Sequence, residues 1–407
     1  MPPMSSDSYN YCALPLESFA CIPHRSRGRL VAEPESVNRT PFQRDRDRII
    51  HSSAFRRLRD KTQVFVYHEG DHYRTRLSHT IEVSQIARTL ARALKVNEDL
   101  AEAVALAHDL GHTPFAHMGE DFLKVCMADY GGFSHNDQSL RILTTLEHKY
   151  PHWKGLNLTW ETLEGVAKHN GPVLKTGEKP SRDNLHIGLF ELAQRMDLEL
   201  DRYASVEAQA AAIADDIAYN NHDVEDGLSA GFFTIEDLEN LTLFHHRIGD
   251  VRTAYPDVPR HILIAELIRD MIGAMVQDVL DQGRENIRRV NPQSPEDVAL
   301  AGEQLITFSP AMNEQVNELR SFLFTKMYRH YTIERIRMKV SKIIPDLFGV
   351  FMQESRLLPD HWRERLDGES DNLTARARVV CDYVAGMTDR FAVREHERIF
   401  NLYWDMK

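Results

Sequence analysis

Residues 76–117 read RLSHTIEVSQIARTLARALKVNEDLAEAVALAHDLGHTPFAH. From His79 onward, Val83, Ile86, Leu90 and Leu94 recur at helical spacing, which predicts one amphipathic helix. Asn97 is a residue type that caps helix N-termini, and Leu100, Val104 and Ala107 behind it predict a second helix running to His108 and Asp109, with Gly111 as its stop. Adjacent helical residues point about 100° apart, so His108 and Asp109 can share an ion only off the end of their helix, facing His79 on the other. A solitary buried imidazole is more often a satisfied core residue than a ligand. Here His108, Asp109, His112 and His117 crowd one helix end, Pro114 interrupts the backbone and His79 comes from a separate helix, so the stretch predicts a metal site.

Composition bounds what surrounds that site. A chain of 407 residues has room for two or three average domains, or for one large helical domain with appended helices. Its net charge of −12 and pI near 5.9 argue against a protein that coats polyanions, so any phosphate site must be a local basic patch. Cys12, Cys21, Cys126 and Cys381 are scattered without CxxC spacing, which suggests neither a zinc knuckle nor a disulfide framework and suits a reducing cytoplasm. No apolar run approaches a membrane span, and the first residues lack a basic region followed by an apolar core; the expectation is a cytoplasmic protein without a membrane partner.

Residues 1–24 have no periodicity and read as a loosely ordered arm, followed by a core over residues 25–230 and a helical part over 231–407 that completes the same domain and makes subunit contacts. Between Arg39 and Lys61, eight basic residues outnumber three acidic ones; half the weight goes to a solvated helix face, half to phosphate or subunit contacts. Glu120 falls one helical turn beyond His117, where a carboxylate fixes an imidazole tautomer and raises its basicity; the plainer role is a helix cap. His135 opens a segment in which Leu140, Leu143 and Leu146 mark another amphipathic helix, and on its own reads as a surface histidine. Residues 168–183 are rich in Gly, Pro and Lys and predict a long exposed loop, after which Leu185 to Tyr203 returns to helical spacing.

In VEAQAAAIADDIAYNNHDVED, Asp215, Tyr219 and Asp223 recur every four residues and form one polar stripe. Such a stripe is usually the wet side of a helix. Among alanines, which allow close helix approach, it better suits a helix whose polar face lines a pocket. Beyond Gly231 the chain predicts further helices with polar joints at 256–259, 291–296 and 358–372, and the basic amphipathic run from Leu319 to Val340 reads first as packing with a solvated cationic face. Too few alternating β-branched runs exist for a sheet, so the fold class is all-α.

The segments RSRGRLVAEPES, RTPFQRDRDRIIHSSAFRRLRDKTQVF, residues 76–117 and DDIAYNNHDVEDGL together resemble the HD-domain phosphohydrolase superfamily, and within it the deoxyguanosine triphosphate triphosphohydrolases. The resemblance implies an HD-domain helical fold with appended C-terminal helices. It also implies metal ligation by His79, His108, Asp109 and Asp215, although the residues alone leave Asp216 open beside Asp215. By the same resemblance His135 lies at the active-site wall, Gln63 contacts the sugar, Arg59 and Arg76 bind phosphates, and Tyr219 and Asp223 touch substrate. Lys326 is a further phosphate candidate, and His112 joins His117 and Glu120 in the catalytic set.

Two imidazoles and two carboxylates suit a divalent ion such as Mn²⁺, Mg²⁺, Co²⁺, Ni²⁺, Fe²⁺ or Zn²⁺. Such an ion acidifies bound water and neutralises charge on phosphorus. The implied reaction is hydrolysis of a deoxynucleoside triphosphate to deoxynucleoside and tripolyphosphate, with His117 and Glu120 protonating the leaving oxygen, in a homo-oligomer. Two alternatives are an HD enzyme acting on another nucleotide and a regulator that binds nucleotide or single-stranded DNA. The flanking FRRLRDKTQVF and DDIAYNNHD segments disfavour the first, and the presence of all four ligand residues disfavours the second.

Overall fold

The computed structural model describes residues 15–63, 74–366 and 372–404. Helices α1 (Pro41–Ile50) and α2 (Ser53–Arg57) lead to α3 (Arg76–Ala93), α4 (Glu98–Ala107), α5 (Ala116–Cys126), α6 (His135–Arg141), α7 (Trp160–Ala167), α8 (Ile187–Ala193) and the long α9 (Val206–Ala230). They are followed by α10 (Ile235–Leu238), α11 (Arg247–Ala254), α12 (Arg260–Val290), α13 (Pro295–Ala299), α14 (Pro310–Leu323), α15 (Tyr331–Gln353), α16 (Asp360–Arg363), α17 (Leu373–Ala385) and α18 (Asp389–Phe400). No strand forms among the described residues, only isolated bridges such as Thr62 with Thr75, so the all-α expectation holds.

Three helices make the frame. α4 is apolar on nearly every side and is buried accordingly, wrapped by α1, α3, α7 and α9. α3 turns Val83, Ile86, Ala87 and Leu90 inward, and α9 presents Ala208, Ala211, Ala214 and Ala218, small residues that let helices approach closely. Each starts on a side-chain cap: Thr75, Asn97 and Ser205 accept from the backbone N–H three residues on, contacts that stabilise a helix by about 1 kcal/mol each. The predicted Asn97 start therefore holds, and Gly231, at φ 74°, ends α9.

Gly111 has a different task from the one its sequence position suggests. α4 ends at Ala107, and His108 to Gly111 form a turn. A Cβ on Gly111 would sit 2.1 Å from the His135 carbonyl oxygen and 2.3 Å from Ser139 N, so glycine is required by the approach of α6 rather than by helix termination. The Ser139 hydroxyl closes that contact, accepting from Gly111 N at 2.9 Å and donating to His108 O at 3.0 Å.

Other expectations are corrected. Residues 1–14 of the expected arm lie outside the described residues, but Phe19, Ala20 and Cys21 are buried, and Cys21 N donates to Glu207 at 2.8 Å; the chain is packed before residue 25. Only α8 is helical between Leu185 and Tyr203; beyond its end Glu199 takes a left-handed φ of 52° and the Leu200 carbonyl accepts from Val173 and Leu174 N–H. The run from Leu319 to Val340 is broken by a π turn over Phe324–Tyr328, and α15 starts anew at Tyr331. Much of the Arg39–Lys61 basic excess is consumed structurally: Arg44 and Arg48 share Glu33, and Arg46 reaches Asp99 and Glu102.

One of the ties between the C-terminal helices and the frame lies beside the HD turn. The Asp389 carboxylate, 2 % exposed, accepts from Thr62 N at 3.0 Å, from the Thr62 hydroxyl and from Phe115 N at 2.9 Å. Beside it, Lys61 Nζ donates to the His112 and Ala385 carbonyls. Burial, with Arg57 nearby, pushes the Lys61 ammonium down to about 7, against about 10.4 in an unfolded chain. Between those values the unfolded state binds more protons, so this residue's contribution to stability rises with pH, and its penalty is complete below about 7. Lys61→Met should therefore compare best with wild type near neutral pH, the difference in melting temperature moving toward wild type as pH rises to about 10. A difference independent of pH would refute the assignment.

Candidate metal centre

α3, the end of α4 and α9 converge so that ligand atoms of His79, His108 and Asp215 lie within 4.8 Å of one another. His79 Nε2 is 2.9 Å and His108 Nε2 3.5 Å from Asp215 Oδ1. Protonation follows from the partners behind each ring. His108 Nδ1 is 2.6 Å from the Ala105 carbonyl, which can only accept, so Nδ1 carries the proton and Nε2 is bare; that Nε2 is buried with no hydrogen-bond partner. His222 Nε2 is 2.7 Å from the Glu82 carboxylate, and burial holds the His222 ring below its usual pKa; the neutral ring therefore keeps its proton on Nε2. Its bare Nδ1 accepts from His79 Nδ1 at 3.2 Å, and His79 Nε2 is left bare as well. Two unprotonated imidazole nitrogens facing one carboxylate form a socket for a cation, and these residues fit a divalent ion.

The charges agree. Burial works against ionising Asp215, yet the His108 ring, with His169 and His79 close beside it, holds its carboxyl well below the usual range. His108 is driven the other way: burial opposes protonation, but Asp109 and Asp215 outweigh it and raise the ring to about 9. A divalent ion held there would supply the positive charge that these carboxylates attract and leave His108 Nε2 free to ligate. Asp216, the alternative carboxylate, turns away to Arg320 at 2.6 Å on α14.

Asp109 borders the cluster without closing on it. Its Oδ1 is 3.4 Å from His108 Nε2 and 3.1 Å from His112 Nε2, while Oδ2 accepts from Arg76 Nη1 at 2.8 Å. Arg76 is 1 % exposed, and its Nε and Nη2 are buried without partners. Unused guanidinium donors beside a cation socket suit a phosphate, which can take two of them at once.

A second group stands next to the first. Glu120, 3 % exposed, accepts from His135 Nδ1 at 2.8 Å and lies 3.7 Å from His117 Nδ1 and 3.1 Å from Lys124 Nζ. The expected His117–Glu120 pair is thus a looser contact than the His135–Glu120 hydrogen bond. His112 stacks on His135 at 4.0 Å between centroids, and burial with Arg76 holds it well below its ordinary pKa, so it stays neutral. His117 is exposed and lines a cavity of about 190 Å³ with Gln63, Tyr219, Phe324 and Tyr328.

Not every expected residue reaches these groups. Tyr219 lines the cavity, but Asp223 is fully buried behind Tyr328, whose hydroxyl donates to it and lies 2.6 Å from the Tyr219 hydroxyl. Burial, with Asp226 adjacent, keeps the Asp223 carboxyl well above its usual pKa. Arg59 points to solvent beside Asp60, and Lys326 pairs with Asp237 at 3.4 Å, away from the cavity lining. Three residues carried no signal in the sequence: Glu82, His222 and His169, whose Nε2 is 3.3 Å from Asp215 Oδ2. The first two lie among ordinary helix positions, and the third in a loop.

The Glu82–His222 pair gives a direct prediction. His222→Ala removes the acceptor that fixes the His79 tautomer, and the loss of such a partner typically costs about 10- to 100-fold in metal affinity. Titrating apo protein with Mn²⁺ by calorimetry checks this; unchanged affinity would show that the pair does not set the tautomer.

Comparison with known proteins agrees with the geometry. The HD domain family matches residues 76–220, and the phosphohydrolase-associated domain family matches residues 306–398. A deoxyguanosinetriphosphate triphosphohydrolase-like protein 1 from Mesorhizobium japonicum is 53% identical over 387 residues, 95% of either chain. Proteins described as deoxyguanosinetriphosphate triphosphohydrolase-like from Parvibaculum lavamentivorans and Caulobacter vibrioides are 53% and 50% identical, over 95% and 96% of this chain and 96% and 97% of theirs.

Proposed function

Since this chain belongs to the deoxyguanosinetriphosphate triphosphohydrolase-like family and carries its HD domain, we propose that it is a metal-dependent hydrolase converting deoxynucleoside triphosphates to deoxynucleoside and tripolyphosphate. The observation that carries this reading is the adjacency of a cation socket to a buried guanidinium with two unused donors. That pairing suits a polyanion engaged at one phosphorus.

A divalent cation, Mn²⁺ being our first choice, would be held by His79, His108, Asp215 and Asp109, and would supply acidified water and charge neutralisation at phosphorus. Arg76 binds the phosphate oxygens through Nε and Nη2 while its Nη1 holds Asp109 in place. His117, in the cavity, donates a proton to the departing 5′-oxygen. Glu120 holds His135 by its Nδ1 and, with His112 stacked behind, the pair forms a fixed polar wall against which His117 works. Gln63 and Tyr219 line this cavity, which supports assigning them to the sugar, with the Tyr219 ring as the group that would exclude a 2′-hydroxyl. Asp223 acts through Tyr328, which stands between it and the cavity.

The same reading makes the working form a cytoplasmic homo-oligomer, to which exposed apolar side chains such as Met338 and Leu402 offer contact surface. No helix among the described residues is long and apolar enough to cross a membrane.

Incubation with each dNTP and with GTP, with and without Mn²⁺, followed by ion-exchange separation, tests the reaction. The expected products are deoxynucleoside and tripolyphosphate, formed only with metal, with dGTP consumed faster than GTP. Appearance of pyrophosphate or orthophosphate as the primary product would reject the proposed bond cleavage.

A further inference from the structure

A second cavity, about 490 Å³, is lined by Arg57, Gln138, Trp362, Arg365, Tyr383 and Phe391 among others, and by none of the residues assigned above to metal, phosphate or sugar. Its charges are out of balance. Neither Arg57 nor Arg365 forms an ion pair among the described residues; Arg57 Nε is buried without a partner, and the Arg365 guanidinium lies 4.3 Å from the Trp362 ring centroid. Of the two carboxylates in the wall, Asp382 is neutralised by Arg141 at 2.5 and 3.1 Å, while Glu147 accepts from Ala54 N at 2.8 Å and keeps its charge. Gln138 is 2 % exposed, and its Oε1 has no partner. Leaving a buried polar group unsatisfied is costly, so the two such atoms at this cavity, Arg57 Nε and Gln138 Oε1, mark it as built for a polar occupant.

The lining defines that occupant. Two guanidiniums against one uncompensated carboxylate, Glu147, leave the wall net positive, which favours an anion of low charge such as one phosphate monoester, about −1.5 to −2 near neutrality. Trp362, Tyr383 and Phe391 offer flat apolar surface for a ring, and the Gln138 amide offers an acceptor for a ring N–H or sugar hydroxyl. A triphosphate would bring more negative charge than the two arginines neutralise. We propose that this cavity is a second binding site that takes a ring-bearing phosphate monoester of the nucleoside monophosphate class. Such a compound is neither substrate nor product of the hydrolysis proposed above. The site abuts the reaction centre through two walls: α6 carries both His135 and Gln138, and the Gly386–Thr388 wall adjoins Ala385 and Asp389, which hold Lys61, Thr62 and Phe115.

Calorimetric titration of the full chain with dGMP in EDTA tests this, with inorganic phosphate and deoxyguanosine as separate arms. Saturable binding of dGMP is expected, with each fragment about ten-fold weaker or more. Arg365→Ala and Trp362→Ala, at half-exposed positions, should each weaken dGMP binding about ten- to a hundred-fold and preserve dGTP hydrolysis without added ligand. Arg76→Ala should leave dGMP affinity unchanged. Absence of saturation overturns the proposal, as does wild-type affinity in Arg365→Ala and Trp362→Ala. Loss of binding in Arg76→Ala alone would place the ligand at the metal centre, and phosphate binding as tightly as dGMP would reduce the cavity to a simple anion site; either result refutes the proposed ligand class.

Discussion

Asp215→Ala is expected to empty the metal centre and to take hydrolysis to background. Asp215 is the carboxylate on which the cluster closes: His79, His108 and His169 approach it at 2.9, 3.5 and 3.3 Å. Its ligand atom joins one from α3 and one from the end of α4, so its loss separates a site assembled from different parts of the chain. Asp216→Ala is the matched control, since that side chain serves Arg320 on α14. Metal content by plasma emission and dGTP turnover should fall together in the first variant and persist in the second. Asp109→Ala belongs with the first, because it removes both the bordering oxygen at 3.4 Å from His108 and the anchor of Arg76. Full stoichiometry and activity in Asp215→Ala would sink the assignment.

His117→Ala should behave in the opposite way, keeping its metal and losing turnover. The ring sits in the cavity with Gln63 and Tyr219 and lies outside the His79–His108–Asp215 cluster. Deleting a general acid costs about 10²- to 10⁴-fold in rate. His135→Ala tests the wall behind it: with its hydrogen bond gone, Glu120 is free to turn toward His117 and Lys124, and kcat should fall while metal content stays near normal. Were His117→Ala to lose metal instead, the imidazole would be a ligand and its role as proton donor would be wrong.

Local chemistry made part of this site readable in the sequence. Asn97 announces α4, the apolar spacing from His79 announces α3, and the four-residue recurrence of Asp215, Tyr219 and Asp223 places three polar side chains on α9. The unread part depends on contacts between distant segments. Nothing near Gly111 states that α6 will press against it, and nothing around Glu82 states that a histidine 140 residues later will bridge it to His79. Lys326 and Arg59 show the reverse case. A basic residue near a motif suggests phosphate, but the fold spends one on Asp237 and leaves the other in solvent. Asp223 misled for a third reason, since helical spacing fixes its direction but cannot reveal that Tyr328 will lie across it.

The Asp389 knot sets an order on biosynthesis. Thr62 and Phe115, which flank Gln63 and the HD turn, take their backbone partner from a side chain near the end of the polypeptide. Until residue 389 is made, the Thr62 and Phe115 N–H groups lack this partner and are met only by water. A chain that stops short of residue 389 is therefore expected to carry every motif residue yet hold the Gln63 segment and the start of α5 less firmly.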